Sequence, residues 1–277
     1  MISCPAVAKQ SIRRHYNLAT PFYRLLWGAH IHHGYWEGNE SPRRAQDQLT
    51  DRLASAAGIA AGQRILDVGC GMGASARRLA ALRGCRVTGV TLSWVQRRWA
   101  QAAAWSQRLA GTTEFLCADI ESLELPAAAF DFIWSVECTE HLFDKAAFFR
   151  RAAAWLEPGG AVAICAWLAG NDLDRAQSQQ VFDVCEGFFC PSLGSARDYE
   201  RWFVDAGLVP DVYQDWTERV TRTWEICRDR VQRLAVRPLA KVVDGQQLLF
   251  LDRFQTILDA YLSGAMRYGC FVARKPS

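Results

Sequence analysis

The chain has no apolar run approaching the roughly 20 consecutive residues that a membrane-spanning helix needs, so no stable membrane insertion is expected. It also lacks an excess of charge: 32 Lys and Arg stand against 29 Asp and Glu, a formal +3. The cations are interleaved with acids, so there is no basic tract of the kind a nucleic-acid partner requires. Met1 to Gln10 lack the charged, apolar and cleavage regions of a secretory signal, and a cytoplasmic location is the expectation. Ten cysteines are present without a single C-x-x-C pair, and Cys185 and Cys190 have no histidines at zinc spacing. Cys70, Cys117 and Cys165 fall in or beside predicted strands, where cysteine acts as a small apolar residue, so free thiols are expected. No internal repeat or low-complexity linker divides the 277 residues, which favours one domain with an elaborated cap and leaves a homo-oligomer open.

Against these absences stands one dense signal, Arg64-Ile-Leu-Asp-Val-Gly-Cys-Gly-Met-Gly73. Ile65, Leu66 and Val68 read as a buried parallel strand that breaks into glycines, and Ala74 to Leu82 reads as the helix that follows. Such a turn brings backbone close to a ligand at the strand's carboxyl end. A dinucleotide fingerprint would need G-x-G-x-x-G and an acid about 20 residues on for the ribose. Here the third glycine comes one residue early, and Thr91-Leu92-Ser93 follows the next strand where the acid would stand.

These residues, with Gln96, Ala118-Asp119-Ile120, Phe130-Asp131, Glu140-His141 and Leu156-Glu157-Pro158-Gly159-Gly160, resemble the class I S-adenosylmethionine-dependent methyltransferases. The resemblance runs over most of the chain and is to the branch holding tocopherol methyltransferases, sugar O-methyltransferases and cyclopropane fatty-acid synthases. His30 to Trp36 looks like the entrance segment of the tocopherol methyltransferase type, and Thr-Leu-Ser commonly replaces the acidic ribose ligand in this branch. The cofactor implied is S-adenosylmethionine, with S-adenosylhomocysteine as product.

Strands are drawn at Arg64 to Gly69, Arg86 to Leu92, Thr113 to Ile120, Phe130 to Glu137, Gly160 to Leu168, Val209 to Trp216 and Arg267 to Arg274. The first five alternate with helices such as Ser93 to Leu109 and Lys145 to Trp155, the pattern of a parallel sheet covered on both faces. The resemblance adds an antiparallel closing strand, giving a Rossmann-like α/β fold with a seven-stranded, mostly parallel sheet. The division expected is 1–57 as an N-terminal helical lid (11–36) and lead-in helix, 58–217 as the cofactor-binding core, 218–264 as a helical cap insertion and 265–277 as the final strand.

On this frame the backbone of Gly69, Cys70, Gly71 and Gly73 would approach the amino-acid and ribose parts of the cofactor. Thr91, Leu92 and Gln96 would reach the ribose hydroxyls and an adenine face, Asp119 the adenine amine, and Ile120 the ring; Asp119 also suits a loop or helix-cap aspartate. Trp94 and Trp99 suit either sheet packing or adenine contact. His30, His32 and His33 crowd into four residues, but methyl transfer from this donor needs no metal and no H-E-x-x-H helix is present, so no metal site is expected. His32, Tyr16, Tyr35 and Trp36 are instead expected around the cofactor, with the aromatic faces near its sulfonium or packed in the lid.

Candidate bases follow the fourth strand: Glu137, Glu140 and His141. His141 comes first, because an imidazole of ordinary pKa about 6.5 suits proton removal at neutral pH; a purely structural histidine is the alternative. Glu140 would orient it or act itself, and Glu137 would meet the cofactor ammonium or the acceptor. Trp27, Phe188, Phe189, Trp202, Tyr213, Trp216, Trp224, Phe250 and Phe254 point to a planar or isoprenoid-like acceptor. The function expected is methyl transfer to carbon or oxygen of a small hydrophobic specialised metabolite. The alternatives are methyl-triggered alkene chemistry, such as cyclopropanation or cyclisation, and N- or sugar O-methylation.

Overall fold

A computed structural model describes residues 1–233 and 245–277; the side chains of 26, 232 and 245–252 lie outside the described residues. In chain order the elements begin with the two-residue β1 (Ile2–Ser3), α1 (Lys9–Leu26), α2 (Pro42–Ala57), β2 (Arg64–Val68) and α3 (Ala74–Arg83). Then come β3 (Arg86–Thr91), α4 (Trp94–Ser106), β4 (Thr113–Cys117), β5 (Phe130–Val136), a 3-10 turn (Thr139–His141), α5 (Lys145–Trp155) and β6 (Leu156–Ala169). The carboxyl half holds α6 (Arg175–Gly187), β7 (Ser192–Leu193), α7 (Ala196–Asp205), β8 (Val209–Asp215), α8 (Thr217–Val220), α9 (Arg222–Arg233), α10 (Gly245–Leu262) and β9 (Met266–Arg274).

Seven strands form one sheet in the order β4-β3-β2-β5-β6-β9-β8, and β1 pairs separately with β7. Strands β2 to β6 run parallel to one another, whereas β9 is antiparallel to both β6 and β8. The apolar run before the glycine turn is therefore central: Val68 lies opposite Val90 on one side and Ser135 on the other. Its period of two feeds two cores, Ile65 joining the cluster on one face and Leu66 and Val68 the cluster on the other. Parallel strands deliver all their carboxyl ends to one rim, where the glycine turn, Thr91 and Glu137 assemble.

The lid is shorter as a helix than the sequence suggests: α1 ends at Leu26, and His30 to Trp36 form an irregular segment. Side chains of α2 hold that segment, Gln46 donating to the carbonyls of both His30 and His32. The cap also gains α6, which the sequence reading does not contain. Only Val181, Val184 and Cys185, with Gly187, are buried along its thirteen residues, so it carries little apolar periodicity; it packs on α10, which also meets α9. Among the described residues no helix is long and apolar enough to cross a membrane.

Candidate active site

The glycine turn is built by left-handed backbone: Gly69, Gly71 and Gly73 have φ of 74°, 52° and 70°. A Cβ on Gly69 would collide with the Cys138 side chain, so the turn admits only glycine there on both conformational and steric grounds. The amides of Gly69 and Cys70 both donate to the Val90 carbonyl, pinning the turn to the next strand. It opens on a cavity of about 780 Å³. Gly69, Cys70, Gly71, Thr91, Leu92 and Gln96 line that cavity, as do Tyr16 from α1 and His32 from the irregular segment.

The Asp67 side chain also reaches this cavity. It is 2% exposed, its Oδ2 has no partner among the described residues, and burial pushes its carboxyl up to about 7. An orphaned buried carboxyl beside a glycine turn suits a cationic group such as an amino-acid ammonium. Thr91 donates to Gln96 Oε1 at 2.7 Å, supplying the hydroxyl and amide that ribose hydroxyls can pair with. Burial, and next to it the charge of His30, hold His32 down at about 3, so this ring is neutral. A sulfonium here therefore meets no opposing charge from His32. Donor set and cavity fit S-adenosylmethionine.

A second cavity of about 560 Å³ lies on the lid side. Tyr23, Trp27, Trp167, Phe188 and Trp224 line it, with rings in edge contact such as Phe188 on Trp224 at 5.2 Å and Trp167 on Phe188 at 5.3 Å. No Lys or Arg is among its described lining residues. Tyr16, Ile31, His32, Glu137 and His141 line both cavities and so form the wall between them.

On that wall, His141 Nδ1 lies 3.0 Å from the Phe189 carbonyl. A carbonyl only accepts, so Nδ1 carries the proton and Nε2 holds the lone pair, which takes a hydrogen bond from the Tyr16 hydroxyl at 2.8 Å. Burial pushes His141 down to about 4, leaving it neutral at pH 7. Glu140 is the opposite case: Oε1 accepts the Trp167 amide, Oε2 has no described partner, and burial pushes the carboxyl up to about 8. Glu140 is thus a neutral acid at pH 7. Glu137 is fully committed. Its Oε1 accepts from the His33 amide and His33 Nδ1, both at 2.8 Å, and from the Tyr268 hydroxyl at 2.7 Å. Burial alone would raise it, but His33, His32 and Tyr268 outweigh burial and hold it well below the usual carboxylate range. Its backbone is also strained, with φ of 53°, as is Phe189 with φ of 56°.

Other sequence candidates stand elsewhere. Asp119 Oδ2 is held by Lys9 at 2.7 Å and its Oδ1 by the Glu121 amide, while Ile120 is buried in the core, so neither lines the donor cavity. Gly73 caps α3, and a Cβ there would meet Phe115 at 2.6 Å; its task is packing. Tyr35 packs edge-on to Trp216 with Arg52 and Arg219 over its ring, and Trp36 donates to Thr223, both outside the two linings. Trp94 and Trp99 are 55% and 42% exposed and line neither cavity. Trp202 packs in the core beyond the sheet, Tyr213 is largely exposed, and the side chain of Phe250 lies outside the described residues. The histidine triplet disperses: His30 to Asp47, His32 to Ser75 and the His33 carbonyl, His33 to Glu137. Among the described residues no three metal-ligating side chains gather. Asp67, His33, Trp167 and Tyr268 enter the site without having been singled out as its members. Asp67 stands in the glycine motif itself, whereas His33 and Tyr268 meet Glu137 from 104 and 131 residues away, which no local spacing signals.

Comparison with known proteins agrees with the geometry. A family model described as a methyltransferase domain matches residues 66–164. The 27-O-demethylrifamycin SV methyltransferase of Amycolatopsis mediterranei is 32% identical over 257 residues, covering 91% of this chain and 92% of that protein. Tocopherol O-methyltransferase of Arabidopsis thaliana is 28% identical over 296 residues, covering 97% and 82%. Among solved structures, the (4+2)-cyclase SpnF superposes with a TM-score of 0.87 at 25% identity, covering 99% of this chain and 98% of its own. Cyclopropane synthase MmaA2 of Mycobacterium tuberculosis shares the fold with a TM-score of 0.85 at 20% identity, covering 98% and 100%. The chain belongs to the class I S-adenosylmethionine-dependent methyltransferases.

Proposed function

We propose that this enzyme methylates a hydroxyl of a small, uncharged, largely apolar metabolite, with His141 as the proton acceptor. The observation that carries the proposal is the His141 Nε2 lone pair on the wall shared by the donor and aromatic cavities. When bound, S-adenosylmethionine supplies a methyl group on a sulfonium, which takes up the electron pair of the bond that breaks. As the acceptor oxygen bonds to that methyl carbon, its proton passes to His141 Nε2, directly once Tyr16 yields or through the Tyr16 hydroxyl, which already donates to Nε2. The Phe189 carbonyl fixes the tautomer and holds the ring in place. Asp67 binds the donor's ammonium, and the aromatic wall excludes water and orients the acceptor. The described lining holds no Lys or Arg, which favours an unphosphorylated acceptor, and a lone pair ready for an O–H favours oxygen over carbon. The relatives named as a 27-O-demethylrifamycin SV methyltransferase and a tocopherol O-methyltransferase support transfer to oxygen.

Methyl-triggered or methyl-free alkene chemistry is the second reading, favoured by Glu140 as a neutral acid in the aromatic cavity and by the likeness to a (4+2)-cyclase. Assay of S-adenosylhomocysteine release with apolar phenols and polyene alcohols, together with NMR of where the new methyl carbon is bonded, decides between them. O-methylation yields one equivalent of S-adenosylhomocysteine per product, whereas methyl-free cyclisation changes the acceptor without releasing any.

A further inference from the structure

The aromatic cavity is less apolar than its rings suggest. His33 Nε2, Trp167 Nε1 and Trp224 Nε1 are all buried without a hydrogen-bond partner among the described residues, and all three side chains line the same cavity. They also adjoin one another: the His33 ring lies 5.7 Å from Trp167 and 5.2 Å from Trp224, and the two indoles are 5.8 Å apart. His33 is 1% exposed and held from behind, its Nδ1 2.8 Å from Glu137 Oε1. Since the carboxylate accepts, Nδ1 carries a proton, and Nε2 is left as the ring's second polar atom without a partner among the described residues. Tyr268 donates to the same Glu137 oxygen, so the carboxylate that orients His33 is itself fixed. Buried donors and acceptors left without partners are rare, and three in one cavity mark what its occupant must supply.

We propose that His33, Trp167 and Trp224 form a subsite for a second hydroxyl of the acceptor, remote from the one methylated. This rests on the acceptor reading above and narrows it to doubly oxygenated molecules. A hydroxyl matches the set in either protonation state of Nε2: it donates to Nε2 or accepts from it, and it accepts from an indole N–H. His33 lines the aromatic cavity alone, while His141 lines both cavities, so His33 holds the far end of the acceptor rather than the reacting oxygen. Glu137 is then a positioning residue that acts through His33.

The test uses the full chain saturated with S-adenosylhomocysteine and three probes titrated by calorimetry: 2-naphthol, 6-methoxy-2-naphthol and 2,6-naphthalenediol. The subsite predicts the diol to bind about tenfold or more tighter than 2-naphthol, with the methoxy compound gaining less. In His33→Phe the diol's advantage over 2-naphthol disappears. Trp167→Phe and Trp224→Phe keep an aromatic wall, and loss of the advantage in at least one of them is expected. Retained S-adenosylhomocysteine affinity certifies the fold of each variant, and a variant failing that control is replaced by the diol comparison in the two tryptophan variants. Equal affinity for all three probes, or an advantage untouched by every substitution, overturns the subsite and leaves the apolar-acceptor reading standing. Binding of none of the probes overturns both.

Discussion

A histidine can serve as a base only if one nitrogen is free of its proton and aimed at the reacting atom, and the partners of His141 decide that question without reference to its ordinary titration. Both ring nitrogens are engaged, one by a carbonyl and one by a hydroxyl, and the two partners leave a single consistent tautomer. His141→Ala is expected to lower kcat by about 10²–10⁴ while donor affinity, measured by calorimetry, stays unchanged. Tyr16→Phe should cost roughly tenfold, the value of one hydrogen bond. Because His141 is held down at about 4, kcat at saturating donor should not fall between pH 7 and 5.5 as an ordinary imidazole would make it. A decline above about pH 8 is expected instead, where Glu140 loses its proton and places a charge in the aromatic cavity, and Glu140→Gln should remove that limb from the pH–rate profile. Asp67 makes a parallel statement about stability. Its folded value of about 7 lies above the ordinary 3.8, so between these pH values the folded protein keeps a proton that the unfolded chain has released. Its contribution therefore falls as pH rises from about 4 to 7, and the penalty persists above that range. Asp67→Asn should raise the Tm of the donor-free enzyme at pH 8 and shrink the further rise produced by S-adenosylhomocysteine.

Among the elements, α1 couples the lid to the donor site. Lys9 in its first turn bridges Asp119 and Glu121, each at 2.7 Å, and about two turns further on Tyr16 stands on the shared wall. Lys9→Ala is expected to speed amide exchange along α1 and raise the donor KM, with exchange in β2 and β5 unchanged. That coupling also explains which elements were legible. The strand, glycine turn and helix at 64–83 could be read because every requirement is local: apolar run, left-handed glycines, helix. Asp119 could be placed at the end of β4, but its occupation by a lysine 110 residues away could not be read from any spacing. The helix α6 escaped for lack of apolar period, and the irregular path of 27–41 escaped because Gln46 and Thr223, not local propensity, hold it.

The whole molecule divides its labour along the sheet's carboxyl rim. The parallel core supplies the donor cavity, and α1, α9 and the segment after α6 that carries Phe188 and Cys190 wall the aromatic one, so that one row of residues from Tyr16 to His141 faces both. The donor side was largely legible because its residues cluster in short motifs; the acceptor side was not, because His33, Trp167, Phe188 and Trp224 meet only in the folded chain. The most direct test of the account is mass spectrometry of products formed from S-adenosylmethionine bearing a trideuterated methyl group, with a panel of apolar dihydroxylated acceptors. The account predicts one label per product, carried on oxygen, formed by the wild type and lost in His141→Ala. Label on carbon, or an altered acceptor that carries no label, would contradict it.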